Sequence, residues 1–303
     1  MTELGSNEDI GVRQLHPEFA AELSGIDITQ HVTTAVRGRV EAAMAKYAVV
    51  VIRGQVHASD QDHVRFSRAF GPLELPPNLG ILNSSRPMRV AAEVYDVSNL
   101  DDHGEMDRPD SLRRRFAKGN EEFHTDSSFN DLPTKWSLLR SVEVPDEGGN
   151  TEFVDTRTAY DQLPDDLKKR IANLEVQHSL SRSRAKGGMN EASSFDQAFP
   201  PVVHPLVRES ASGRKALYIG SHASWIVGQT EQQSRDLLDM LVAHATQPQH
   251  IYSHQWQTGD LVIWDNRCTM HRVTTFNYLS DRRDLRRTTI NEFGTERSGS
   301  KLR

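Results

Sequence analysis

Residues 47–54 read YAVVVIRG, a β-branched run that is apolar on both faces and ends at Gly54. As a strand it needs cover on both sides, because alternate side chains point to opposite faces. The sequence before it, VRGRVEAAMAKY, has helical spacing, and SDQDHVRFSRAFG (59–71) predicts a helix capped by Ser59, with Val64, Phe66 and Phe70 free to pack. Further strands are predicted over 90–99, 136–145, 148–156 and 216–220, and in HIYSHQW, LVIWDN and LRRTTINEF. Pro164 suits the first turn of the helix DDLKKRIANLE. The clearest helix is TEQQSRDLLDMLVAHAT (230–246), where Thr230 and Gln233 form a capping box and Leu237, Leu238 and Leu241 share a face. Residues 100–120 are charged and carry Gly and Pro, which predicts a long loop.

Short strands punctuated by turns imply a double-sheet β core with helices packed outside. No repeat and no composition break divides the 303 residues, so one domain over 1–303 is expected, with loose ends at about 1–10 and 294–303. A net charge of −6 argues against binding nucleic acid through bulk phosphate attraction. It leaves room for small anionic partners, which need only a few placed cations. The lone cysteine, Cys268, rules out a disulfide framework within the chain, and Cys268 and Trp264 read as core residues. There is no basic segment followed by an apolar run at the start, and no apolar stretch of membrane-spanning length. A cytoplasmic protein without membrane partners is expected.

His-x-acid occurs three times, at His16-Pro-Glu18, His103-Gly-Glu105 and His124-Thr-Asp126. The first is in a turn and the second in the charged loop, so both are expected to be solvated. On a strand, His124 and Asp126 would point the same way and could occupy adjacent positions on one metal ion. The bland alternative is a surface histidine and a capping aspartate. A third ligand is offered by His271, which follows the apolar strand in GDLVIWDNRCTMHR. Two histidines and a carboxylate that leave open positions are the donor set of non-haem Fe(II) oxygenases.

The stretch DRRDLRRTTI, read as a strand, puts Arg283, Leu285, Arg287 and Thr289 on one face and Asp284, Arg286 and Thr288 on the other. Two inward arginines in a β core are costly unless each meets an anion. An oxygenase that uses 2-oxoglutarate and an anionic substrate has that requirement. An exposed basic strand is the competing explanation.

FHTDSSF, PDEGGNTEFVDTRTAYDQLP, GDLVIWDNRCTMHR, RRDLRRTT and HPLVRESASGRKALYIGSHAS together resemble the taurine dioxygenase family of Fe(II)/2-oxoglutarate oxygenases, over about residues 13–291. Within it the chain is most similar to the 2,4-dichlorophenoxyacetate (aryloxyalkanoate) dioxygenase branch. The resemblance implies a double-stranded β-helix, or jelly roll, mainly β with flanking helices. It implies His124, Asp126 and His271 as iron ligands. Arg283 would hold the distal carboxylate of 2-oxoglutarate, with the Thr151 hydroxyl beside it and Trp256 against the co-substrate. Arg287 would bind the acidic group of the organic substrate, and Asn120 is a further candidate for substrate contact. O2 is the second co-substrate, and a homo-oligomer is expected. The implied reaction hydroxylates the ether-adjacent carbon of an aryloxyacetate, releasing a phenol, glyoxylate, succinate and CO2. The alternatives are a taurine or alkylsulfonate dioxygenase releasing sulfite, and an iron-free β-sandwich binding protein. Phe123 stands where close phenoxyacetate relatives often carry tryptophan, and residues 73–90 depart most from the pattern.

Overall fold

The computed structural model describes residues 10–76, 89–189 and 195–298. Its first strands are β1 (Val12–Gln14), β2 (Ala21–Leu23), β3 (Val49–Ile52), β4 (Leu73–Leu75), β5 (Tyr95–Ser98) and β6 (Thr134–Glu143). There follow β7 (Thr151–Asp155), β8 (Glu175–His178), β9 (Val202–Pro205), β10 (Val207–Glu209), β11 (Lys215–Leu217) and β12 (Ala223–Ile226). The last are β13 (Tyr252–His254), β14 (Leu261–Asp265), β15 (Thr269–Val273), β16 (Asp284–Asn291) and β17 (Arg297–Ser298). The helices are α1 (Thr34–Tyr47), α2 (Asp60–Arg68), α3 (Leu112–Ala117), α4 (Thr156–Asp161), α5 (Asp165–Ile171), α6 (Leu180–Lys186), α7 (Phe195–Ala198) and α8 (Glu231–Ala245).

The large sheet runs β1-β2-β3-β14-β6-β16-β4-β17, with β5 also paired to β16. Smaller sheets are β13-β7-β15, β12-β8-β9 and the hairpin β10-β11. The doubly apolar strand β3 explains the layering. Val49 and Val51 face inward, sharing a core with Leu139, Phe153, Val262, Trp264 and Leu285 from the large sheet and from β7. Val50 and Ile52 face outward onto Val40 and Met44 of α1 and Val64 and Phe66 of α2. Each such side chain contributes on the order of 1.5–3 kcal/mol when buried, so the register of β3 is held from both faces. The capping box of α8 forms between Thr230 and Gln233, and its Leu237, Leu238 and Leu241 cover Val154 of β7, Val176 of β8 and Met270 of β15.

The same alternation sorts β16. Leu285 lies in the inner core, whereas Asp284 and Arg286 face outward into ion pairs with Arg89 and Asp60. Thr288 meets Ser67 of α2.

Several elements differ from expectation. Residues 90–94 are not strand, and only Tyr95–Ser98 pairs with β16. The 100–120 segment is not a continuous loop, since it folds into α3 and a 3-10 turn, Lys118–Glu121. The signal was Ser111, whose hydroxyl accepts the amide of Arg114 and so caps α3. Tyr47 closes α1 instead of opening β3, with Ala48 turning the chain at φ 59°. Pro164 stands at the cap position just before α5. In the expected loose tail, Glu296 pairs with Arg68 and β17 lies parallel to β4. The rest of that tail from 299, residues 1–9 and most of the divergent 73–90 segment (77–88) lie outside the described residues.

Candidate active site

His124 and Asp126 are not carried by a regular strand, contrary to the sequence reading. His124 forms a one-residue antiparallel bridge with His271 of β15, each amide donating to the other's carbonyl, at 3.0 and 2.9 Å. This bridge sets the two imidazoles side by side, with ring centroids 4.2 Å apart. After His124 the chain turns, and Asp126 is brought back under them. One donor atom from each of His124, Asp126 and His271 lies within 4.8 Å of the others, and all three residues are buried. Among the described residues they make the one such cluster. The other two His-x-acid pairs do not join it. His16 reaches the carbonyl of Gln249, and His103 is exposed.

The donor set suits a divalent cation. Burial pulls the His124 pKa down to about 4, and His271 is also held well below its ordinary value, mainly by burial. Both imidazoles are therefore neutral at pH 7, with lone pairs available. His124 Nδ1 donates to the Glu122 carbonyl at 2.8 Å, which leaves Nε2 to face the cluster. Burial raises the Asp126 pKa, but the Arg287 guanidinium acts against it most strongly, with a hydrogen bond from Ser137, and the carboxylate stays ionised. Ser137 of β6 donates to Asp126 Oδ2 at 2.7 Å and is itself held by Asn266. Asn266 also accepts from the Asp126 amide and from Trp264 Nε1. The acid is thus oriented by β6 and by the turn that follows β14 (Leu261–Asp265).

The triad opens into a cavity of about 730 Å³. Arg283, Arg287 and Thr151 line it. Arg283 is buried, donates through Nε to the Gly149 carbonyl, and meets no acid among the described residues. Burial lowers its pKa to about 10, so it stays charged. Thr151 Oγ1 accepts from Trp256 Nε1 at 3.1 Å, which leaves the threonine proton free to donate into the cavity. Arg287 donates to Asp126 Oδ1 and lies over the Tyr95 ring, 4.7 Å from its centroid. Asn120 lines the cavity, but its Oδ1 accepts from Arg184, so it serves another side chain.

Residues 11–289 match the family described as taurine catabolism dioxygenase TauD, TfdA family. The chain belongs to this family. Among curated members it is 41% identical over 278 residues to the alpha-ketoglutarate-dependent 2,4-dichlorophenoxyacetate dioxygenase of Cupriavidus pinatubonensis, covering 91% of this chain and 95% of that protein. It is 35% identical over 253 residues to the (S)-phenoxypropionate/alpha-ketoglutarate-dioxygenase of Sphingobium herbicidovorans, covering 80% and 82%. Among solved structures, AAD-2 in complex with Mn(II) and N-oxalylglycine superposes with a TM-score of 0.87 at 40% identity, over 95% of this chain and 99% of that one. The TauD/TfdA protein described here is therefore an Fe(II)/2-oxoglutarate-dependent dioxygenase with a jelly-roll fold, O2 being the second co-substrate.

Sequence reasoning missed several residues of this TauD/TfdA site. Ser137 and Asn266 look like ordinary strand and turn polars until the Asp126 carboxylate is placed between them. Glu74 is buried in β4 and accepts from Tyr95, Ser127 and Asn130. Burial raises its pKa. The one signal for it was an acid between two leucines in LEL. Arg184, on α6, carries no sequence signal at all.

Proposed function

We propose that this dioxygenase acts on aryloxyacetate-type carboxylic acids such as 2,4-dichlorophenoxyacetate. It would hydroxylate the carbon beside the ether oxygen, and the resulting hemiacetal would fall apart to a phenol and glyoxylate as 2-oxoglutarate becomes succinate and CO2. His124, Asp126 and His271 hold the iron. Bound Fe(II) with 2-oxoglutarate and O2 supplies the oxidising chemistry. Arg283 and the Thr151 hydroxyl grip the distal carboxylate of 2-oxoglutarate through charge-assisted hydrogen bonds, and Trp256 sets the direction of that hydroxyl. Arg287, beside the triad, receives the substrate carboxylate. The chain's contribution is placement, since about an ångström of misalignment costs on the order of a hundredfold in rate.

The observation that carries this reading is a buried His-Asp-His cluster, two neutral imidazoles and one ionised carboxylate, sharing one cavity with arginines and an aromatic lining. Phe129 packs edge-on to Phe199 there, and Tyr95 and Phe116 add further ring surface. An aromatic lining favours an aryl acid over a small alkylsulfonate. The identity to phenoxy-acid dioxygenases supports the same choice.

The test is product analysis with purified protein, Fe(II) and 2-oxoglutarate. Phenoxyacetates should yield phenol, glyoxylate and succinate in equal amounts, and taurine should yield no sulfite. His124→Ala and Asp126→Ala should abolish both metal binding and succinate formation. Sulfite from taurine with phenoxyacetate inert, or full turnover in either variant, would overturn the reading.

A further inference from the structure

Besides Arg283 and Arg287, five cations among the described residues line the cavity, and four of them stand toward its rim: Arg113 pairs with Asp96 and Asp102, Arg114 lies over the Tyr278 ring, and Arg115 and Lys118 are exposed, which leaves Arg184 as the buried one. Arg184 lines the same space as the triad and is 5% exposed. Its Nη1 donates at 3.0 Å to the Phe116 carbonyl and at 3.0 Å to Asn120 Oδ1. Its guanidinium carbon lies over the Phe116 ring, 3.9 Å from the centroid. Its Nε is buried with no hydrogen-bond partner, and no carboxylate among the described residues pairs with it. The place is built for this side chain. A Cβ at Gly119 would collide with Arg184 Nη1, and one at Gly187 would strike the backbone of Gly119.

Such a setting is expensive for a structural arginine. A buried charge without a partner costs several kcal/mol, and folds normally supply the counter-ion themselves. Here the partners supplied are a neutral amide oxygen, a carbonyl and a ring face. They hold the guanidinium and leave its charge uncompensated. Burial lowers its pKa to about 10, so it remains a cation at neutral pH. Asp126 favours its charge and Arg287 opposes it, which sets all three groups in one electrostatic neighbourhood. Arg287 already has an acid in Asp126, and Arg184 has none among the described residues.

We propose that Arg184 is a second anion-recognising residue of the substrate pocket, binding the acidic head group of the organic substrate together with Arg287, while Asn120 and Phe116 hold its guanidinium in place. Two guanidinium groups then share a head group with several equivalent oxygens, a carboxylate in the aryloxyacid reading. The proposal rests on that reading for the identity of the acid, though not for the presence of an anion.

The test uses the full chain loaded with Mn(II) and N-oxalylglycine, with binding measured by calorimetry so that no turnover is required. The ligands are phenoxyacetate and its uncharged counterpart phenoxyacetamide. Arg184→Met should weaken phenoxyacetate about 10- to 100-fold, the usual range for losing charged hydrogen bonds. It should leave the affinities for phenoxyacetamide and N-oxalylglycine unchanged. Arg184→Lys, which keeps the charge and loses the planar fork, should fall in between. Asn120→Asp, which keeps the arginine and places an acid against it, should weaken phenoxyacetate in the same direction. This variant decides the matter if Arg184→Met does not fold. Unchanged phenoxyacetate binding overturns the proposal, as does equal weakening of acid, amide and N-oxalylglycine. If wild-type protein binds an alkylsulfonate and not phenoxyacetate, the aryloxyacid reading falls, and the same variants judge Arg184 on the sulfonate. If wild type binds neither anion, both fall.

Discussion

At the scale of residues, the site is a problem of holding charges in the right ionisation state away from water. Two imidazoles are kept neutral by burial, and one carboxylate is kept ionised by its neighbours. The orientation of that carboxylate depends on Ser137, whose hydroxyl occupies Oδ2. Partners of this kind are typically worth about 10- to 100-fold in metal affinity when removed. Ser137→Ala should therefore lower the affinity for Mn(II), measured by titration with a competing chelator, by roughly tenfold or more. It should also lower the thermal midpoint, because the buried Asn266 Nδ2 loses its acceptor. An unchanged metal affinity would show that Asn266 and the backbone hold Asp126 unaided. Ser137 is also a case of what a linear reading cannot see. Nothing in WSLLRSVEVP distinguishes its serines until β6 has been laid beside β14.

At the scale of elements, the turn between β6 and β7 is the part most exposed to perturbation. Gly149 sits there at φ +63°, in the left-handed region that favours glycine. A Cβ would meet Pro145 Cγ at 3.0 Å and Arg283 Nε at 3.2 Å. Its own carbonyl is the hydrogen-bond acceptor for Arg283. Gly149→Ala should thus strain the turn and push on the arginine at once. We expect the apparent KM for 2-oxoglutarate to rise about fivefold, equivalent to ~1 kcal/mol. The KM for the organic substrate should change much less. Equal increases for both would mean that Arg283 does not act on the co-substrate. The GGNTEF motif was conspicuous in the sequence, whereas its contact with a side chain more than a hundred residues downstream was not.

At the scale of the whole molecule, the stability of the fold is tied to pH through histidines buried far from water. Burial holds the pKa of both His63 and His178 at about 3, against an ordinary 6.5. His63 Nε2 faces the Thr288 hydroxyl between α2 and β16, and His178 Nδ1 meets the Ser128 hydroxyl. The folded state takes up no proton at either site until about pH 3, whereas the unfolded chain does so below 6.5. The stabilisation is therefore complete above pH 6.5 and is lost as pH falls below it. The slope approaches ~1.4 kcal/mol per pH unit for each histidine. Urea midpoints measured from pH 7 to 4.5 should fall steeply in the wild type and more gently in His63→Gln. Parallel slopes would show that His63 protonates as readily in the fold as in the open chain.

Read from the residues alone, local periodicity settled what lies within a single element: the doubly covered β3, the capped helices α2 and α8, and the inward face of β16 with its arginines. These follow from side-chain direction, which each segment carries in itself. The similarity of the longer motifs then pointed to three ligands. Tertiary structure decided what depends on distance between segments. It replaced the expected strand at His124 and Asp126 with a one-residue bridge to His271 and a turn. It put Ser137 and Asn266 on the acid, Glu74 beside Tyr95, and Arg184 in the cavity with no acid to meet it among the described residues. The reason is physical. Which faces are apolar is a property of a short stretch of chain, whereas which charges meet depends on how distant strands are stacked.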